Sequence, residues 1–384
     1  MESLLFWLAA TTLLLVAAIT IEFAVGNRSL RRLKDLPLFS RGNAPKVSVI
    51  VAARNEARNI EQGLSSLLAQ EYPNLELIAV DDRSTDETGA ILDRMAAKDP
   101  RLHVEHVTGL PSGWLGKTHA LQCGADRASG AFLLFTDADV VIEPSVVGRA
   151  VGHIHQANLD HVAVAPRPQM PGTFLNMFGG AFALFFGMYA RPWKASAPKS
   201  RWHIGIGAFN LVRADVYRAA GGHRAIAMRP DDDMKLGKLI KKTGFHQEML
   251  LGDGSITVEW YSSVGELVRG LEKNSFAGLE YSLAAIVATC LGQLAVFDWP
   301  VAALVLTRGA TWWLNVAIVG SLMLLYIDNA GCHGLKRWYC VGLPLAALLF
   351  VYIIGRATLK TLVHGGIDWR GTHYSLRELK ANKV

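Results

Sequence analysis

The chain predicts an α/β domain with a mainly parallel sheet, set between apolar segments at both ends that are long enough to cross a membrane. Between Pro45 and about Asp253, short apolar runs alternate with amphipathic stretches. Three of those runs end in acids or other polar groups. Of the 384 residues, 51% are hydrophobic, and the longest apolar runs lie at the two ends. Strand and helix in alternation imply parallel pairing, with helices covering both faces of the sheet.

The N-terminal run, Leu4 to Val25, is broken only by Glu22 and is followed by Arg28, Arg31, Arg32 and Lys34. At helical rise it covers a bilayer core, and the basic cluster puts the next segment on the cytoplasmic side. A cleaved signal peptide carries its positive charge before the apolar core, where this chain has Glu2, so a retained signal-anchor is expected. Residues 1–26 are therefore read as the anchor and 27–44 as a basic juxtamembrane linker. The α/β domain is expected over 45–275, transmembrane or re-entrant helices over 276–356, and a basic cytoplasmic tail over 357–384.

Within the domain, Val47–Ala53 (VSVIVAA) reads as a buried strand, followed by Ile60, Leu64, Leu67 and Leu68 at helical spacing. Pro73 and Asn74 turn the chain into a second strand, Leu75–Val80, which ends at Asp81 and Asp82. Ser84 or Asp86 then caps a helix burying Ile91, Leu92 and Met95. Leu102–Val107 is a third strand, Thr118–Ala128 a helix and Phe132–Thr136 a fourth strand.

In such sheets ligands bind beyond the carboxyl ends of the strands. There the chain places Arg54-Asn55-Glu56, Asp81-Asp82, and Asp137-Ala138-Asp139. In an extended segment, residues two apart face the same way, so Asp137 and Asp139 converge on one cation or one proton. A metal site, an acid/base pair and a polar strand end all fit the pair alone; three such strand ends favour a shared site. The loop SGWLGKTHA lacks a Walker pattern, because Pro111 stands where glycine is required. Lys117 on it is either a cation for a diphosphate or a surface lysine. Further on, GIGAFNLVR precedes Asp231, Asp232 and Asp233, which open a segment whose Met234, Leu236, Leu239 and Ile240 form a helix face. The helix dipole accounts for one or two acids there, less readily for three.

Other chemistries are disfavoured. The four cysteines show no CxxC spacing and the twelve histidines no HExxH pair, which argues against a zinc site or disulfide framework. The net charge of +6 is concentrated beside apolar segments (Arg28 to Lys34, Lys336 and Arg337) and in the tail. That placement fits anionic lipid rather than nucleic acid.

In order, VSVIVAARNE, VDDRSTDET, TDADV, GG and DDDMKLG resemble a family 2 glycosyltransferase with the GT-A fold, over about Val47 to Lys273. The resemblance implies an inverting, metal-dependent hexosyltransferase using Mg²⁺ or Mn²⁺ and a nucleotide-sugar, with UDP favoured. It implies that Ala53, Glu56, Asp81 and Asp82 line the nucleoside pocket, that Asp137 and Asp139 are the DxD pair, Asp139 meeting the metal more directly, and that Asp232 and Asp233 match the ED pair. Asp233 is then the base, with Asp232 standing where glutamate is commoner. Processive members carry QxxRW after that helix; here the region reads VRGLEKNSFAGLEYS, which favours a single transfer. That region, the GWLGK loop and the late IDWRGTHY (Ile367 to Tyr374) resemble membrane-bound members that glycosylate ceramides, carotenoids or hopanoids.

The sequence supports a lipid acceptor independently. Thr173–Ala190 is apolar and uncharged within the catalytic region; an interfacial helix, a wall of the acceptor entrance and a buried core helix all fit it. At the C-terminal end, Asp298-Trp299-Pro300 interrupts an apolar run and is expected to fold it as a re-entrant hairpin, leaving two full spans to return the tail to the cytoplasmic face. The expected place is a bacterial-type inner or plasma membrane, with the catalytic domain cytoplasmic. Two alternatives stand: transfer to polyprenyl phosphate, with Arg201, His203 and Arg229 as a phosphate site, and a non-catalytic membrane scaffold retaining the fold.

Overall fold

A computed structural model describes residues 2–39 and 42–384. Met1, and Ser40 and Arg41 of the expected 27–44 linker, lie outside the described residues. The chain forms two compact units: one of Leu30–Gln169, Ala190–Glu259 and Gly366–Val384, the other of Met1–Ser29, Met170–Tyr189 and Trp260–Gly365.

In chain order, apolar helix α1 (Glu2–Ser29) is followed by a short strand β1 (Arg31–Arg32). The expected alternation follows as β2 (Val47–Ala53), α2 (Ile60–Leu68), β3 (Leu75–Asp82), α3 (Thr88–Ala96), β4 (Leu102–Val107), α4 (Gly116–Arg127) and β5 (Phe132–Asp137). Next come β6 (Val140–Ile142), α5 (Val146–Ala157), β7 (His161–Ala165), β8 (Arg167–Gln169) and apolar α6 (Thr173–Ala190). The α/β unit resumes with β9 (Asn210–Arg213), α7 (Ala214–Ala219), α8 (Asp232–Lys242), β10 (Gln247–Leu251) and β11 (Ile256–Glu259). After α9 (Val264–Gly278), α10 (Leu283–Gln293), α11 (Trp299–Leu306), α12 (Gly309–Cys332) and α13 (Leu343–Val363), the chain ends in β12 (Gly366–Trp369), β13 (Thr372–Ser375) and α14 (Leu376–Ala381).

The main sheet has the order β1-β10-β7-β9-β5-β2-β3-β4, parallel throughout except for β9, which runs antiparallel to β5 and β7. Its strands alternate between two cores, as a pleat requires. Val49, Val51, Leu77, Leu134 and Phe132 pack with Ile60, Leu64 and Leu67 of α2 and with α5 on one face. Ile50, Ile78, Val80, Leu133 and Phe135 pack with α4, α7 and α8 on the other. The registers Ala53 with Asp81 and Ala52 with Asp137 set the ends of β2, β3 and β5 side by side.

In the apolar unit, α6 buries Phe178, Ala181 and Leu184 completely, and its Phe182 and Phe185 contact the ring of Phe350 on α13. The helix therefore packs within this unit. Glu272 of α9 pairs with Arg356 at 2.5 Å and Lys360 at 2.9 Å on α13. The expected re-entrant break at Asp298-Trp299-Pro300 is not formed. Leu294–Asp298 is a π turn joining α10 to α11, and Leu294 and Trp299 both keep helical backbone angles. Proline is tolerated there because it sits at the start of the next helical segment. Among the described residues, five helices are long and apolar enough to cross a membrane: Glu2–Ser29, Thr173–Lys194, Leu283–Leu306, Gly309–Cys332 and Arg337–Val363.

Candidate active site

Asp137 ends β5 on the face that carries Phe135, where α4 and α8 cover the sheet. Lys117, in the first turn of α4, places Nζ 2.8 Å from Asp137 Oδ1 and 3.6 Å from Asp232 Oδ1. Asp233 Oδ2 accepts from the Gly207 N–H at 2.8 Å, and its Oδ1 from the Met234 N–H at 2.7 Å. Lys117, Asp137, Gly207, Asn210, His223, Asp232 and Asp233 share the wall of one small cavity. The GIG turn fits here because its backbone lies against α8: a Cβ on Gly205 would fall 1.8 Å from the Asp233 carbonyl oxygen, and one on Gly207 2.7 Å from Asp137 Oδ2.

Like charge is crowded at this end of the sheet. Burial, then Asp137 and Glu56, push the Asp139 carboxyl up to about 7, against the pull of Lys117. Burial also raises Asp233, while Lys117 and the two backbone N–H groups oppose the shift. Desolvation alone would lower the pKa of Lys117, yet Asp137, Asp232 and Asp233 raise it above the usual lysine range, so it is a fixed cation. His223, pushed down to about 3 by burial and by Lys117, is neutral, and its Nδ1 lies 2.8 Å from the Tyr217 hydroxyl.

The three aspartates before α8 divide. Asp231 pairs with Arg229 at 2.9 Å and Lys235 at 3.4 Å, so the helix-start reading suffices for it. Asp232 and Asp233 turn towards Lys117 and the cavity. The Arg229 guanidinium, 1% exposed and bound to Asp231, is engaged away from the phosphate role considered for it with Arg201 and His203. Arg201 and Arg191 lie over the Trp202 ring. Asp139 is not among the residues lining that cavity, although the charges of Asp137, Glu56 and Lys117 act on it. β5 stops at Asp137 and Ala138-Asp139 form a turn, so strand alternation does not align the two acids.

At the neighbouring strand ends, Ala53 is buried and lies level with Asp81. Asp81 Oδ1 accepts from the Ser84 N–H at 3.2 Å, and Oδ2 lies 3.0 Å from His106 Nδ1, contacts that shape the turn. Asp82 receives Arg83 through two nitrogens at 2.7 and 3.0 Å, with Arg54 at 3.6 Å. Glu56 Oε1 meets Arg370 Nη2 at 2.5 Å. Arg83 and Arg370 contact these acids, Tyr374 contacts the first turn of α4, and His223 lines the cavity; the strand-end pattern did not single them out. IDWRGTHY was marked only by resemblance.

Residues 48–221 match the family model described as Glycosyl transferase family 2. That segment is a family 2 glycosyltransferase domain. The protein is accordingly an enzyme of the glycosyltransferase class, with a GT-A fold. Over 371 residues, 94% of this chain and 97% of the relative, it is 22% identical to a 4,4'-diaponeurosporenoate glycosyltransferase of Staphylococcus aureus. A 120-residue stretch, 31% of this chain and 35% of the relative, is 33% identical to an uncharacterized glycosyltransferase of Haemophilus influenzae. Among solved structures, the mannosyltransferase PcManGT of Pyrobaculum calidifontis, in complex with GDP-Man and Mn²⁺, is similar over 94% of this chain and 99% of its own, with a TM-score of 0.51 and 18% identity. Its likeness shows the fold.

Proposed function

We propose that the protein transfers a single sugar from a nucleotide-sugar, with UDP-hexose favoured, to a hydroxyl of a membrane lipid, inverting the anomeric centre. The observation that carries this reading is the small cavity where Asp233 and Asp232 of α8 meet Asp137 of β5 around Lys117. Asp233 takes the proton of the acceptor hydroxyl as its oxygen bonds to the anomeric carbon. The bond from that carbon to the diphosphate oxygen breaks, and the diphosphate leaves with the electron pair. A base works best with a pKa near the working pH, and burial moves Asp233 in that direction. The Gly207 and Met234 N–H groups fix its orientation. Asp232 steadies Lys117, whose charge faces the departing diphosphate.

Among the described residues, no group of three or more His, Cys, Asp or Glu side chains is placed to hold a metal ion. Two carboxylates nevertheless fit a cation that completes its shell with substrate phosphates and water, the usual habit of Mg²⁺. The negative charge crowded on Asp139 supports that role. Asp139 and Asp137 would hold Mg²⁺ or Mn²⁺, which supplies neutralisation of the diphosphate. Ala53, Glu56, Asp81 and Asp82 form the nucleoside side of the pocket.

A lipid acceptor is supported by the similarity, over 94% of the chain, to a 4,4'-diaponeurosporenoate glycosyltransferase and by the five apolar helices among the described residues. With Arg229 tied to Asp231, polyprenyl phosphate is the weaker acceptor. The test is donor turnover by detergent-purified protein with UDP- and GDP-sugars, Mn²⁺ or Mg²⁺ and a lipid extract, read by mass spectrometry. One added hexose mass on a lipid, absent in Asp139→Ala and Asp233→Asn, is expected. Folded protein that releases no nucleotide from any donor would sink the enzymatic reading in favour of a scaffold.

A further inference from the structure

Chain ends usually fray unless something ties them down. Here the last segment, Gly366–Val384, is tied to the α/β unit at three places. At the hairpin tip, Arg370 reaches Glu56 at 2.5 Å and also donates to the Arg54 carbonyl. On β13, the buried Tyr374 hydroxyl accepts from the Gly116 N–H, the first of α4, at 3.2 Å, and it also bonds Arg83, the partner of Asp82. Past α14, Asn382 accepts from Met228 N at 2.9 Å and donates to the Ala225 carbonyl at 3.0 Å, while Leu379 is fully buried.

The hairpin turn is a second observation. Trp369 pairs with Thr372, which leaves a two-residue loop of Arg370 and Gly371 with φ of 51° and 79°. Two positive φ values mark the turn that Asn-Gly favours. An arginine there is uncommon and persists where its surroundings hold it, so such an outlier points to function. What holds Arg370 is Glu56, a residue of the nucleoside side.

We infer that the hairpin Gly366–Ser375 is a wall of the donor pocket, in which Arg370 and Tyr374 position Glu56, Arg83 and the first turn of α4 for the nucleoside diphosphate of the donor. This rests on the reading that the strand-end pocket takes a nucleotide-sugar. The turn after β2, the turn after β3, the first turn of α4 and the tail then close on one ligand from four parts of the chain. Arg370 and Tyr374 act through those partners and take no part in bond making.

The test uses the full chain in detergent with UDP and GDP as probes in the presence of Mn²⁺. Calorimetric binding and donor kinetics are compared for wild type, Arg370→Ala, Arg370→Lys and Tyr374→Phe. Loss of a charged hydrogen bond predicts binding weaker by about tenfold or more in Arg370→Ala, with donor KM raised and kcat nearly unchanged. Arg370→Lys should recover part of the loss, because it keeps the charge without the fork. Hydrogen exchange on wild type needs no variant to fold: nucleotide should slow exchange across 366–375. Wild-type binding, with equal affinity in the variants and no change of exchange in the hairpin, overturns the wall and leaves the donor pocket standing. Wild type that binds neither nucleotide overturns both.

Discussion

The two ends of one sheet treat buried acid in opposite ways. Near the start of β3, Glu76 accepts from Ser48 Oγ at 2.5 Å, from the Ser129 N–H at 2.8 Å and from Ser129 Oγ at 2.9 Å, and it pairs with Lys46 at 2.5 Å. Burial would raise its pKa, but these partners together hold it down at about 2. At the carboxyl ends, burial and neighbouring acids push Asp139 up to about 7. An acid that serves the fold is surrounded by donors. Asp139, proposed above to meet a cation, keeps the perturbation that burial and its acidic neighbours impose, and strongly perturbed carboxyls are commoner at functional sites.

That contrast is broken first by Asp233→Asn. Removing a positioned base should lower kcat by about 10² to 10⁴, with the thermal midpoint unchanged or raised because one crowded acid is gone. Retained turnover would show that the crowding has another purpose. Chelation of divalent cations should come next in size, stopping transfer in wild type and restoring it when Mn²⁺ or Mg²⁺ is returned; activity that survives EDTA would remove Asp139 and Asp137 from that role.

At the other end of the sheet, Glu76→Gln should cost about 1–3 kcal/mol of stability with donor KM unchanged. A shift in KM without a shift in melting would mean that the two ends are not separate in purpose. The smallest effect is one of pH. Glu76 is depressed from 4.5 to about 2, so its contribution is fully present above pH 4.5 and is lost as pH falls through about 2. The gap in denaturation midpoint between wild type and Glu76→Gln should therefore hold at pH 6 and narrow between pH 4.5 and 2.

The sheet was legible because its strands are short apolar runs bounded by turns and its helices show apolar residues at helical spacing. Asp137, Asp232, Asp233 and Lys117 were legible for a related reason, since parallel topology carries strand ends and helix starts to one edge. Several features leave no such periodic trace. β9 enters antiparallel between β5 and β7, and β1 joins the edge from the linker, both by pairing across long sequence separations. Whether Asp231 or Asp232 faces inward depends on the phase of α8, which one added residue would rotate by about 100°. Arg370 meets Glu56 across a separation of 314 residues, which no local pattern encodes. Asp298-Trp299-Pro300 reads as a break, yet a π turn absorbs it.

The tail that meets Glu56 also does arithmetic on the membrane. A chain that leaves a domain on one face of a bilayer and re-enters that domain has crossed an even number of times. Glu259 and Gly366 belong to one compact unit, and three helical runs long enough to cross lie between them: Leu283–Leu306, Gly309–Cys332 and Arg337–Val363. If the catalytic unit lies wholly on one face, as the basic cluster after the first helix leads one to expect, no more than two of the three traverse the bilayer. Cysteines placed at Asn43 and Lys383 should then react with an impermeant thiol reagent from the same side, and opposite sides would refute the count. The single helix α6 leaves from Gln169 and returns at Ala190 of that same unit, so on the same one-face premise it makes no full crossing however apolar it is. Among the described residues five helices qualify by length, and on that premise connectivity admits at most three of them as spans.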